Sequence, residues 1–232
     1  MGHAQPNFSL DDFLAWEQTQ TERHEFVCGE VFAMVGARRV HGIVSLNIAA
    51  CLKGLLRGSP CRVFNESMKL KAAPNVLFYP DVFVTCDPAD LRTDLIFSAP
   101  TMVAEVLSSS TQAYDRGQKF SWYRRLPSLR EYLLVDPDSR EIELFRRGAD
   151  GLFTLHDLTG LPQVELTSIG CSLSAEEIFD GLEPLAQASL PGVCSAGGRP
   201  AQGRAAASLS CTTAASSSPC AATQPGANRV SS

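Results

Sequence analysis

Two carboxylates in this chain stand where a carboxylate is costly. Asp81 follows Tyr79-Pro80 and opens the apolar run Val82-Phe83-Val84. Glu105 lies inside "PTMVAEVLS", residues 100–108, which otherwise reads as a buried β-strand. An ionised carboxylate among apolar neighbours needs a partner. If the two segments are neighbouring strands their acids converge, and two close carboxylates repel unless a cation lies between them. Mg²⁺ suits such a pair, with Mn²⁺ as its expected substitute. It takes one or two carboxylates, keeps several waters and completes its shell with substrate phosphate oxygens. Each acid also has a plainer reading: Asp81 as a turn residue after proline, Glu105 as half of a core ion pair with Arg or Lys.

Lys119 extends the pattern. The stretch "YDRGQKFSWYRR" follows the Glu105 segment after a short loop, so its first turns can return toward that strand's end. Arg116 and Lys119 share a helix face, as do Lys119 and Tyr123. A lysine beside a metal-bound water can orient it and stabilise the added negative charge of a pentavalent phosphate. The plainer reading is a solvated helix face, given Arg124, Arg125 and Arg130 nearby.

Other chemistries lack their residues. There is no GxSxG, no GxxxxGK[ST] and no GxGxxG, and no cysteine stands in an obvious pair with histidine. Four histidines, one of them His3 near the terminus, make a His-rich metal site a poor expectation. The cysteines show no CxxC or CxxxC spacing, so zinc has no support. Those of the body are expected to be buried single thiols in a reducing compartment.

Charge bounds the partners. Ahead of Ala186 the chain holds 25 acids against 17 Lys and Arg residues. Binding to nucleic acid by bulk charge is therefore not expected, and any such contact must use a local basic surface or a bound metal. No apolar run could span a bilayer and the N-terminal residues show no signal pattern, so a soluble cytoplasmic protein without a membrane partner is expected.

The elements that would position these residues follow from local pattern. Ser9 caps a first helix. "HEFVCGEVFAMVG" reads as a hairpin hinged at Cys28-Gly29. "HGIVSLNIAACLKGLLRG" has helical spacing and Gly58 as its stop. Three strand-like segments then lead to the Lys119 helix, ended by Pro127. A second hairpin turns around Asp136-Pro137-Asp138-Ser139, "GLFTLHDL" is a further strand, and Ser174 caps a last short helix. This order describes an α/β (α+β) domain over residues 10–184, with one central sheet and helices beside it. Residues 186–232 are Ala, Ser, Gly, Pro and Thr with few large apolar side chains, and disorder is expected there.

A proline-aspartate, a glutamate strand and a lysine in that order resemble the PD-(D/E)XK nuclease superfamily. Within it the chain is similar to the Uma-two family of restriction endonuclease-like proteins, in "RHEFVCGEVFAMVG", "RRVHGIV", "YPDVFVTCD", "VAEVLSSSTQAYDRGQKFSWYRRLPSLREYLLVD" and "IELFRRG". The resemblance implies a mixed central sheet with flanking helices and a single metal-dependent phosphodiesterase site, with Asp81 and Glu105 as metal-binding acids. The usual lysine position two residues after the glutamate is Leu107 here, so the lysine has moved to Lys119. Glu30, in the hairpin, matches an acidic position that assists metal or water, and His41 matches a recurring histidine. Cys28 and the serines of "LSSST" depart from the family pattern without removing a ligand.

Three functions are compatible with these residues. The first is a Mg²⁺-dependent endonuclease acting on nucleic acid, with DNA the expected substrate, where a homodimer would let two sites cut both strands. The second is an inactive module of the same fold that binds nucleic acid or protein. The third is a metal-assisted hydrolase with another substrate. Asp81, Glu105, Lys119 and Glu30 are the candidate catalytic residues, with His41 and Arg116 as accessory ones.

Overall fold

Ser9 starts the first helix as its residue type predicts: its hydroxyl accepts from the Asp12 N–H at 3.1 Å, and the Asp12 carboxylate accepts from the Ser9 N–H at 3.0 Å. This reciprocal pairing satisfies two donors that a helix start leaves open. A computed structural model describes residues 3–4, 8–34 and 36–183. In chain order its elements are β1 (His3–Ala4), α1 (Leu10–Glu17), β2 (His24–Val27), β3 (Glu30–Ala33), α2 (Arg39–Leu55), β4 (Arg62–Asn65), β5 (Lys69–Ala73), β6 (Val76–Phe78) and β7 (Val82–Thr85). A 3₁₀ turn at Asp90–Arg92 precedes β8 (Ile96–Phe97) and β9 (Pro100–Val106). Then follow α3 (Gln112–Tyr114), a π turn (Asp115–Lys119), α4 (Phe120–Tyr123), β10 (Glu131–Val135), β11 (Ile142–Arg147), β12 (Phe153–Asp157), β13 (Gln163–Leu166), β14 (Cys171–Ser174) and α5 (Ala175–Ile178).

The expected hairpins form. Cys28 and Gly29 both take positive φ, 51° and 93°, as a two-residue turn between twisted strands requires. The mixed central sheet is also present, in the order β12-β11-β10-β9-β7-β4, with β9 and β10 parallel and its other neighbours antiparallel. It is not the only sheet. A second one, β1-β3-β2-β6-β5-β8, is built around the N-terminal hairpin, and β13 pairs with β14 in a third. The reason is that two segments expected to be single strands each break in the middle. "CRVFNESMKLKA" divides into β4 and β5, and "NVLFYPDVFVTC" into β6 and β7, with the halves in different sheets. Pro80 cannot donate to a ladder, which suits it to the crossing between them.

Both faces of the central sheet are covered. Met102, Ala104 and Val106 share a core with Val44, Ile48 and Leu52 of α2 and with Val164 and Leu173. Val103 and Leu107, on the opposite face, share one with Phe120, Trp122 and Tyr123 of the α3–α4 segment and with Leu70, Val76 and Phe78 of the second sheet. Fully buried Glu131 ties the third sheet on: its carboxylate accepts from Arg146 Nε at 2.8 Å and from the backbone N–H groups of Thr167 and Ser168 at 3.1 Å each.

One expectation about cysteine is corrected. Cys61 and Cys86 form a disulfide rather than remaining single thiols. Arg62 pairs with Thr85 across β4 and β7, which brings the residues just outside that pair face to face. That register is a tertiary fact, invisible in a separation of 25 residues. No helix among the described residues is long and apolar enough to cross a membrane. The expected disordered stretch, residues 186–232, lies outside the described residues.

Candidate active site

The site forms where the chain crosses between the two large sheets. β6 pairs with β2, Phe26 opposite Leu77, which sets Glu25 beside the Phe78-Tyr79 step. The Tyr79 N–H donates to Glu25 Oε1 at 3.3 Å. Tyr79-Pro80-Asp81 then delivers the chain to β7, antiparallel to β9 with Val82 opposite Ala104. Asp81 therefore stands across from Glu105, and their hydrogen bonds continue the ladder. The Val106 N–H donates to Asp81 Oδ2 at 2.7 Å, and the Asp81 N–H approaches Glu105 Oε2 at 3.4 Å.

Lys119 reaches back from the following helix, as its displacement from position 107 requires. Its Nζ lies 3.0 Å from Glu105 Oε1, 3.1 Å from Glu25 Oε1 and 3.9 Å from Asp115 Oδ1. The Tyr123 hydroxyl donates to Glu105 Oε1 at 3.2 Å. The π turn Asp115–Lys119 buries both its ends on the cluster, and such widened turns recur at functional sites. From the start of α2, His41 Nε2 sits 3.2 Å from Asp81 Oδ2.

Four acids thus surround one lysine and one histidine in a nearly dry place; Glu105 is 2% exposed and Lys119 6%. Burial raises the Glu105 pKa well above the usual carboxylate range. Lys119 opposes that rise, and the charges of Asp81, Asp115 and Glu25 add to it. Burial likewise raises Asp115, against the pull of Lys119. Burial alone would discharge Lys119, but Glu105, Glu25 and Asp115 together outweigh it and hold the ammonium charged. The same contest, burial against a hydrogen bond to Asp81, ends with His41 more basic than usual. The cluster holds four acids against one lysine and one histidine.

These residues fit a hard divalent cation. Asp81 Oδ1 makes no hydrogen bond among the described residues, and Glu105 Oε2 has only the long contact from Asp81 N, so each has acceptor capacity to spare. Two carboxylates with room for water match what Mg²⁺ takes from a protein. Two buried polar atoms at the cluster, His41 Nδ1 and Tyr114 Oη, lack hydrogen-bond partners, as groups do where a ligand or its waters complete the set. Among the described residues, however, no three His, Cys, Asp or Glu side chains are grouped to hold an ion by themselves.

The structure thus brings together Asp81, Glu105, Lys119 and His41. It does not bring Arg116 or Glu30 to them. Arg116 turns outward, its Nε donating to Glu143 at 2.7 Å, with Glu141 and Gln112 also bound. Glu30 pairs with Val27 across the hairpin and is exposed, without an ion pair or hydrogen bond to the cluster. The hairpin acid that arrives is Glu25. Sequence reading missed it because only the β2–β6 pairing carries it to the site, although an acid inside "HEFV" has the same anomaly as Glu105. Asp115, also missed, had a signal in its i, i+4 spacing to Lys119.

Comparison with known proteins agrees with this architecture. The Uma2 family model, described as "Putative restriction endonuclease", matches residues 10–185. Two proteins of Synechocystis sp. (strain ATCC 27184 / PCC 6803 / Kazusa) are similar. "Uncharacterized protein slr1290" is 38% identical over 179 residues, covering 76% of this chain and 94% of its own length. "Uncharacterized protein sll1609" is 32% identical over 152 residues, covering 64% and 86%. Among solved structures, a "putative nuclease belonging to DUF820 from Anabaena variabilis ATCC 29413" shares the fold with a TM-score of 0.62 at 16% identity, over 74% of this chain and 97% of that one.

Proposed function

The chain belongs to the Uma2 family, and from that premise we propose that it is a divalent-metal-dependent endonuclease that hydrolyses phosphodiester bonds of DNA. The observation that carries the reading is the buried meeting of Asp81, Glu105 and Lys119, with Lys119 Nζ 3.0 Å from Glu105 although it comes from a different element. Asp81 and Glu105 would hold Mg²⁺ or Mn²⁺, which supplies Lewis acidity toward a phosphate oxygen and an acidified water. The protein's own groups do the rest. Lys119, kept charged by three carboxylates, stabilises negative charge that builds on the phosphate oxygens. Glu25 holds Lys119 from the other side, at 3.1 Å. His41 Nε2 and the Val106 N–H orient Asp81. Burial keeps bulk water from screening these charges.

The test is nicking of supercoiled plasmid by wild-type protein and by Asp81→Asn and Glu105→Gln, with Mg²⁺ or Mn²⁺. The wild type should cut only with metal, and each variant should lose at least about two orders of magnitude. Full cutting by both variants would end the proposal. A second reading, a module of this fold that binds nucleic acid or protein without cleaving, is favoured by the lack of a three-donor metal group among the described residues. Calorimetric titration with Mn²⁺ separates the two: no heat at millimolar metal supports the module.

A further inference from the structure

Residues 108–130 lead from the Glu105 strand past Lys119 to β10. This segment contains one acid, Asp115, which is buried at the site. Its exposed positions include hydroxyls and amides as far as Gln118, and the charged ones among them are Arg124, Arg125 and Arg130. Arginine ion pairs among the described residues are those of Arg38, Arg116 and Arg146, so these three guanidinium groups face solvent without an acid partner. In a chain of net charge −5 that is a marked local excess of positive charge.

The patch has a rigid base. Arg147 lies behind it and donates to the carbonyls of Arg124 at 2.6 Å, Leu126 at 2.9 Å and Leu129 at 2.8 Å. It thereby fixes the turn that carries the exposed arginines, and it has no acid partner among the described residues. Burial, and after it the neighbouring Arg130, press its pKa below the usual value, as expected where like charges crowd. The Arg125 guanidinium carbon sits over the Trp122 ring, 4.5 Å from its centre.

The backbone of Arg130 is placed relative to the site by β9. The Arg130 N–H donates to Thr101 O, four residues before Glu105 on the same strand. At roughly 3.3 Å per residue that is about 13 Å, or about four steps of a duplex whose axial rise is ~3.4 Å. We propose that Arg124, Arg125 and Arg130, backed by Arg147, form a track that binds the phosphate backbone of the nucleic acid cleaved at Asp81 and Glu105. This rests on the nuclease reading of the site and adds where its substrate lies. The track recognises phosphodiester charge, not base sequence.

The experiment is fluorescence anisotropy of a labelled DNA duplex, and separately of its single strand, with the full chain in EDTA over a series of salt concentrations. Arg124→Gln/Arg125→Gln is compared with Arg57→Gln/Arg92→Gln, an equal charge change at exposed arginines outside the segment, and Arg130→Gln is measured alone. Unchanged urea midpoints confirm folding. The slope of log K against log salt should weaken by about 0.9 per lost contact on duplex, or about 0.7 on single strand. The Arg124/Arg125 double variant should lose about twice as much as Arg130→Gln, and the Arg57/Arg92 control little. Equal losses in the two double variants would reduce the effect to bulk charge and overturn the track, as would a wild type that binds neither DNA at low salt. Wild-type plasmid cutting with unchanged binding by the arginine variants sinks the track alone. Arginine-dependent binding without any cutting sinks the nuclease reading and upholds the track.

Discussion

Lys119 Nζ lies 3.0 Å from Glu105 Oε1, though the two residues belong to different elements and the lysine stands 14 positions along the chain instead of two. The pair is almost wholly buried, so each charge depends on the other. Removing one partner of such a pair costs about 3–5 kcal/mol, whereas replacing both by neutral groups is often close to neutral. Lys119→Met should therefore lower the urea midpoint sharply and abolish cleavage. Lys119→Met/Glu105→Gln should regain part of that stability, since Glu25 and Asp115 still lose their cation, and none of the activity. Equal stability of the single and double variants would show that the pair is not coupled.

Glu25 and Glu30 lie in the same hairpin with different surroundings. Glu25→Gln loosens the second carboxylate on Lys119, and losses of such supporting groups cost about 10–100-fold in activity. Glu30→Gln changes an exposed side chain and should leave stability within about 0.5 kcal/mol and cleavage near wild type. Steady-state nicking rates for the two variants decide this. A larger loss for Glu30 would return the role to the acid that the resemblance implies.

The pH dependence of the metal-free protein follows from raised pKa values. Glu105 and Asp115 have folded pKa values above their unfolded ones, so their contributions to stability are present below the ordinary carboxylate range and are lost as pH rises through the raised values. His41, also raised, contributes in the same sense above its ordinary ~6.5. Lys119, raised too, loses nothing until above ~10.4. Urea unfolding in EDTA should thus give lower stability at about pH 8 than at about pH 5. Mn²⁺ should stabilise more at the higher pH, where it no longer displaces protons. Metal stabilisation that is equal at both pH values would contradict the site.

The Cys61–Cys86 disulfide closes a separation of 25 residues between β4 and β7. On the chain-entropy account such a link is worth about 3.5 kcal/mol. Dithiothreitol should lower the urea midpoint of the wild type accordingly and leave Cys61→Ala/Cys86→Ala unaffected. The bridge joins the ends of β4 and β7 remote from Asp81, so cleavage should persist in the reduced protein.

Much of this protein is local and was legible as such. The Ser9 and Ser174 caps and the Cys28-Gly29 turn follow from residue type and short-range spacing, and the mixed sheet with flanking helices is what the resemblance implies. Glu105 announced a site because a carboxylate between Ala104 and Val106 has no cheap reading. What no local pattern contains is which strand pairs with which. The breaks at Glu66-Ser67 and Tyr79-Pro80 send consecutive strands into different sheets, where the β2–β6 pairing brings Glu25 to Lys119 and the β4–β7 pairing brings Cys61 to Cys86. Strand pairing joins residues far apart in sequence through backbone groups that every residue carries, so side-chain identity marks the acid that needs a partner but not the partner it meets. The sequence by itself determined that a charge would be buried at Glu105. Tertiary structure decided that Lys119, Asp81 and Glu25 would surround it.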